Sequence, residues 1–228
     1  MRGKILCFIA SFMLLIGILY PSDRLALTIK SRGEAKLKRA GEEDFKYGLK
    51  IGTTLFNHDV IKTGDDGYAV VIFLDDKSQL KIRENTEMVI TGKVEGNAIS
   101  KQINMQYGTM KAEVSKQRKG EFIIATPTSV ASVKGTVFWV ISDPVRGDIF
   151  YGIEGTVEVT NNNSGVTIVV GANQAGTSTP EGEVNVENVS QDEVPTEPEG
   201  EQEEQINTLR IQLQNPQGES KEIIIEYR

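Results

Sequence analysis

The spacing of its turn signals constrains this chain more than any other feature. From residue 25 to about 177, short alternating stretches recur about every 10–13 residues, bounded by Gly, Asn or Asp. Alternation with a period of two places successive side chains on opposite faces of an extended strand. It is visible in Ala35–Arg39, Tyr68–Leu74, Gln79–Arg83, Met88–Thr91, Thr109–Val114, Val133–Ile141, Asp148–Tyr151, Thr156–Thr160 and Val166–Val170. The intervening breaks are Thr63-Gly64-Asp65-Asp66-Gly67, Asp75-Asp76, Glu95-Gly96-Asn97, Lys119-Gly120 and Asn161-Asn162-Asn163-Ser164-Gly165. Such residues turn the chain by accepting positive φ or by bonding their own backbone. No part of the region sustains a helical period, so an all-β fold is expected. A sandwich, a barrel or a β-roll/solenoid all satisfy the spacing. Tight Asn-Gly hairpin signals are scarce between the strands, which leans toward the β-roll/solenoid.

The flanks differ from this centre. Met1–Lys4 is basic, and Ile5–Tyr20 is a continuous apolar run of 16 residues. A membrane span needs about 20 residues, so the run fits a long signal-peptide core. Pro21-Ser22-Asp23 breaks it. Cleavage after Ala26 would place Arg24 where a small residue is expected, so residues 1–26 read as a signal peptide or an N-terminal signal anchor. Either way the remainder is exported, to the periplasm, the cell envelope or the outside. Only four residues precede the apolar run, so no cytoplasmic domain is expected before it. The sole cysteine, Cys7, lies within that run and excludes an intramolecular disulfide.

The net charge of −7 is unevenly spread. Residues 1–146 carry 22 Lys and Arg against 16 Asp and Glu, and residues 147–228 carry 3 against 16. An acidic half disfavours polyanions, so nucleic acid is not an expected partner. Ser178–Gln205 holds ten acidic residues, three prolines and no aromatic or basic residue. Such a segment buries too little apolar area to offset its ordering entropy, so residues 178–206 are expected to be a disordered acidic linker. Beyond it, Leu209-Ile211-Leu213 and Ile223-Ile225-Tyr227 alternate with polar residues around Asn215-Pro216-Gln217-Gly218-Glu219. Residues 207–228 therefore read as a C-terminal β-hairpin. It is expected to dock on its own domain or on a partner's sheet edge.

Within residues 27–177 a set of ordered blocks stands out. GLKIGTTLFNHDVIKTG ends at Gly64, YAVVIFLDDKSQL spans Tyr68–Leu80, and FIIATPTSVASVKGTVFWV spans Phe122–Val140. The strand Gly155-Thr156-Val157-Glu158-Val159 follows. This order resembles the FecR-type domain, over about residues 26–176. The resemblance implies an envelope-facing β domain, similar to the periplasmic part of regulators that relay iron-siderophore signals to sigma factors. The family's "DGS" turn is replaced here by Asp75-Asp76-Lys77-Ser78. The matched positions Asp59, Thr63, Gly64, Thr126, Pro127, Gly135, Thr136, Phe138 and Gly155 read as scaffold: turns, bulges and core. Gly135 suggests a bulge or a close approach of backbones, and Phe138 and Trp139 fall on opposite faces of one strand.

Chemistry is sparsely provided. His58 is the only histidine and sits in the turn-like Phe56-Asn57-His58-Asp59, so neither a nucleophile–His pair nor a zinc site is expected. Asp65-Asp66-Gly67 and Asp75-Asp76 offer carboxylates but lack the spacing of a calcium loop. No catalytic residue, metal or cofactor is expected. The expected function is non-catalytic, through contact with an unknown envelope protein in a sensing, adaptor or assembly role. The alternative is a glycan-binding module for peptidoglycan or surface polysaccharide. That alternative requires exposed aromatics, with Tyr68, Tyr107, Trp139 and Tyr151 the candidates.

Overall fold

The computed structural model describes residues 24–117, 120–198, 207–214 and 220–227. The apolar segment read as signal peptide or anchor lies outside the described residues up to Asp23. So do residues 199–206 of the acidic segment and the Asn215–Glu219 turn. The described chain starts with β1 (Arg24–Arg32), β2 (Ala35–Lys38), β3 (Tyr47–Gly48), β4 (Thr54–Phe56) and β5 (Asp59–Thr63). It continues with β6 (Tyr68–Phe73), β7 (Gln79–Ile82), β8 (Glu87–Glu95) and the long β9 (Ala98–Glu113). Then come β10 (Phe122–Ala125), β11 (Ser129–Val133), β12 (Val137–Asp143), β13 (Gly147–Glu154) and β14 (Val157–Asn161). The domain closes with β15 (Thr167–Val170), β16 (Gln174–Ser178) and β17 (Val184–Asn188). No helix occurs among the described residues. None is therefore long and apolar enough to cross a membrane, which says nothing of a membrane β-barrel.

Hydrogen bonding sorts these strands into two layers that share β9. The first layer runs β4-β1-β6-β7-β9-β12-β13-β16-β17. The second runs β3-β2-β5-β8-β9-β10-β11-β14-β15. Strand β9 pairs with β8 up to Tyr107, then with β12 from Gly108 onward. It turns the corner at Gly108, whose φ of 113° is open to glycine. The strands before β9 fill one side of it in both layers, and the strands after β9 fill the other side.

The layers close on a single apolar core. Strands β5, β11 and β14 alternate buried and less buried residues, as strands covered on one face do. Phe73 of the first layer meets Phe122 of the second edge-on, with ring centroids 5.7 Å apart. The packing leaves little slack, because a Cβ on Gly92 would stand 2.8 Å from a Leu25 methyl.

Three expectations change. A stack of like-directed coils pairs its strands in parallel, whereas every pairing within β1–β17 is antiparallel except β9–β10; the solenoid description does not carry over. The stretch Val133–Ile141 is two strands, since β11 ends at Val133 and β12 begins at Val137 in the other layer. The apolar alternation runs unbroken through a corner that only Gly135 betrays. The boundary at 177 also moves. Strand β17 lies inside the acidic segment and pairs from Gln174↔Asn188 to Ser178↔Val184. Its backbone ladder and the Val184/Val186 alternation hold it at an edge despite the acidic composition. The described residues from Arg24 to Gln191 form one compact unit, and those from Asp192 onward a second. In the second, β18 (Asn207–Gln214) and β19 (Ser220–Tyr227) pair antiparallel, setting Leu209 opposite Ile225 and Ile211 opposite Ile223.

Candidate functional site

The motif residues are dispersed over several corners of the domain, and the side chains of Asp59, Thr63, Thr126 and Thr136 bond backbone there. Asp59 is 1% exposed at the start of β5. Its Oδ2 accepts the Phe56 N–H at 2.9 Å and the Arg39 guanidinium at 2.5 Å. Arg39 also donates to the Thr54 carbonyl and lies over the Phe56 ring, 5.1 Å from its centroid. The residue before it, His58, adopts a φ of 65° and is exposed in the turn. At the far end of β5 the Thr63 hydroxyl donates to the Arg83 carbonyl at 2.6 Å and accepts the Thr86 N–H at 3.0 Å. Gly64 lies against Glu34, whose side chain occupies the space of a Cβ.

A second set lies beyond β9. The Thr126 hydroxyl accepts the Ser129 N–H at 2.8 Å and donates to Asp148 Oδ2 at 2.5 Å. Ser129 Oγ donates to the same oxygen at 2.7 Å. Thr126 and Ser129 flank the β10–β11 turn of the second layer, while Asp148 belongs to β13 of the first. A buried carboxylate thus ties the layers together. Burial pushes its carboxyl above the usual 3.8, with the hydroxyls of Thr126, Ser129 and Ser142 pulling the other way. The Pro127 carbonyl accepts from Asn162 Nδ2. Gly135 and Gly155 approach one another, since a Cβ on Gly155 would stand 2.9 Å from the Gly135 carbonyl oxygen. Between them the Thr136 hydroxyl donates to the Thr156 carbonyl at 2.9 Å. Phe138 is fully buried. The close approach read at Gly135 is present: its φ is 95°, and a Cβ there would stand 3.0 Å from Lys116 Cα.

Asp65-Asp66 and Asp75-Asp76 have different occupations. Asp66 Oδ1 accepts the Glu34 N–H at 2.9 Å. Asp75 and Asp76 both meet the buried ammonium of Lys101, at 2.8 and 2.9 Å. Sequence reasoning missed Lys101, Asp148 and Arg39. Nothing in the order of residues announces them, because each meets a partner at least 19 residues away. Among the described residues, no three His, Cys, Asp or Glu side chains cluster as metal ligands. Of the four aromatics that a glycan surface would need, Tyr68 and Trp139 are each only 2% exposed. Tyr107 is half-buried and donates its phenol to Glu87 at 3.0 Å. Trp139 and Tyr151 stand opposite one another in the β12–β13 ladder, with Lys111 on the indole's other side.

These features define a class: an all-β domain of two layers, with several of the motif residues at its corners. Residues 59–158 match the family model described as FecR protein, a stretch running from β5 into β14. No curated protein matches the chain. Two crystal structures, at 2.50 and 1.65 Å, of a "putative anti-sigma factor" from Parabacteroides distasonis ATCC 8503 are similar, each at 19% identity and a TM-score of 0.49. The similarity covers 57% of this chain and 60% of that one, less than two thirds of its length.

Proposed function

We propose that this chain is an exported envelope protein of regulatory or sensing type that works by contact with another protein, without catalysis. The observation that carries the reading is the FecR match over residues 59–158, joined to the use of its recurrent residues as corner fasteners. Corner fasteners hold turns and loops on a rigid scaffold, and loops so held are where contact residues concentrate. The N-terminal apolar segment would act as signal peptide or anchor and deliver the domain across the membrane. The acidic residues after Gln191 would tether the terminal hairpin.

The outer strands supply candidate contact surfaces. The layer edges are β4 and β17 in the first layer and β3 and β15 in the second, and all four lie outside the matched residues. Strand β15 leaves Val169 53% exposed, with Val166 beside it at 47%. An extended segment of a partner can add to such an edge through main-chain bonds. Crosslinking of the full chain in its native envelope, followed by mass spectrometry, tests the reading. One stoichiometric protein partner is expected, and recovery of glycan fragments alone overturns it. Deleting residues 207–228 tests the hairpin: unchanged thermal stability together with an unchanged set of captured partners removes it from the proposal.

A further inference from the structure

The charged side chain of Lys101 is fully buried, with 0% of it exposed. It lies on the second-layer half of β9 and points into the turn that follows β6 of the first layer. Its Nζ reaches Asp75 Oδ2 at 2.8 Å, Asp76 Oδ2 at 2.9 Å and the Ile99 carbonyl at 3.1 Å. The Phe73 ring centroid lies 5.4 Å away, and Phe73 is itself packed against Phe122. One amine therefore meets two carboxyl groups beside an aromatic wall.

The two carboxyl groups are held differently. Both oxygens of Asp76 are engaged: Oδ1 accepts the Ser78 N–H at 2.9 Å, and Oδ2 accepts Gln117 Nε2 at 2.6 Å as well as Lys101. Burial works against its charge, but the bonds from Gln117, Lys101 and the Ser78 N–H outweigh it and hold the carboxyl below the usual 3.8. Asp75 is pinned through Oδ2 alone, by Lys101 and by the Ile99 N–H at 2.9 Å. Its Oδ1 is buried with no hydrogen-bond partner among the described residues. A buried carboxylate oxygen without a donor is costly, and the same oxygen as a departing hydroxyl is not.

We propose that Lys101 and Asp75 are joined in the folded protein by an isopeptide bond, with Asp76 as the catalytic proton carrier. Transfer of one proton from the ammonium to Asp75 leaves a neutral amine facing a carboxylic acid. The Lys101 Nζ lone pair attacks Asp75 Cγ, and the Cγ–Oδ1 bond breaks. Asp76 takes a proton from Nζ and passes it to the leaving hydroxyl, which departs as water. The products are one amide and one water, and no oxidant or co-reactant enters. The amide removes a cation and an anion from the interior and replaces an orphaned oxygen with a covalent strut between the layers.

The test is a tryptic digest of the purified full chain under denaturing conditions. The bond blocks cleavage at Lys101 and joins peptide 63–77 to peptide 94–111. The joined species weighs about 18 Da less than the two peptides together, one water having been lost. Its presence in the wild type, and its absence from an Asp76→Asn variant whose circular dichroism matches the wild type, supports the proposal. Free peptides 63–77 and 94–101 as the main wild-type products overturn it. Water loss confined to an unjoined peptide 63–77 also overturns it, because a cyclic imide at Asp66-Gly67 has the same mass change. Joined peptides persisting in Asp76→Asn overturn the role given to Asp76.

Discussion

Substituting alanine for Gly108 tests whether the β9 corner organises the domain. Two costs add. At a φ of 113° an alanine is strained, by roughly 1–3 kcal/mol. Its Cβ would also fall 2.5 Å from Thr86 Cα and collide with the Thr86 hydroxyl. Thr86 is fully buried and cannot step aside without loss. Its N–H bonds Thr63 Oγ1 at 3.0 Å, and its hydroxyl accepts the Thr109 N–H at 2.9 Å. Breaking those two bonds costs about 1 kcal/mol each. The expected loss is therefore about 3–5 kcal/mol. Gly96 is the matched control: its φ is 67°, and a Cβ there meets nothing within 4 Å, so alanine costs only the left-handed strain of about 1–2 kcal/mol. Urea denaturation of Gly108→Ala and Gly96→Ala measures the difference directly. If the two variants fall within about 1 kcal/mol of each other, the corner carries no special strain and the reasoning fails.

Three further outcomes are expected. Phe138→Ala, which empties a fully buried position of β12, should lose about 3–5 kcal/mol by thermal or urea unfolding. Asp59→Ala should lose about 2–3 kcal/mol, because it leaves the Phe56 N–H without its acceptor and takes the carboxylate partner from the partly exposed Arg39, which keeps the Thr54 carbonyl. The third concerns Asp148. Its folded-state carboxyl titrates above 3.8, so the stability it contributes is present below that value and lost as pH rises through the higher folded one. The stability of Asp148→Asn relative to wild type should therefore increase from acidic to neutral pH, and parallel pH profiles for the two proteins would refute this.

Much of the strand content was legible because period-two alternation and Gly or Asp breaks are local signals. Tyr68–Leu74 and Val166–Val170 differ from β6 and β15 by a single residue at one end. The layers were not legible, since sharing β9 depends on a bend at Gly108 inside an otherwise continuous strand. Strand β17 was hidden by composition: five acidic-segment residues fold where a partner strand is already waiting. Thr63, Thr126 and Gly135 stand in the blocks that carry the FecR resemblance, but what they fasten to is set by the folded chain. Asp148 and Lys101 become visible only once the chain has closed, because burial and a distant partner give each its character.

Strand β9 makes the domain unequal under division. Every hydrogen-bonded link between the strands before it and those after it passes through its two edges. A break at the Glu95-Gly96-Asn97 turn would leave β9 with the later fragment and strip the earlier one of a neighbour at both β7 and β8. Both fragments would carry two raw margins, but the later one would keep the strand that joins the layers and the earlier one would lose it from both layers at once. Replacing an outermost strand disturbs a single ladder. Descendants of such a fold can therefore change their periphery more freely than the middle, and the stretch of this chain that matches the FecR protein model runs from β5 into β14.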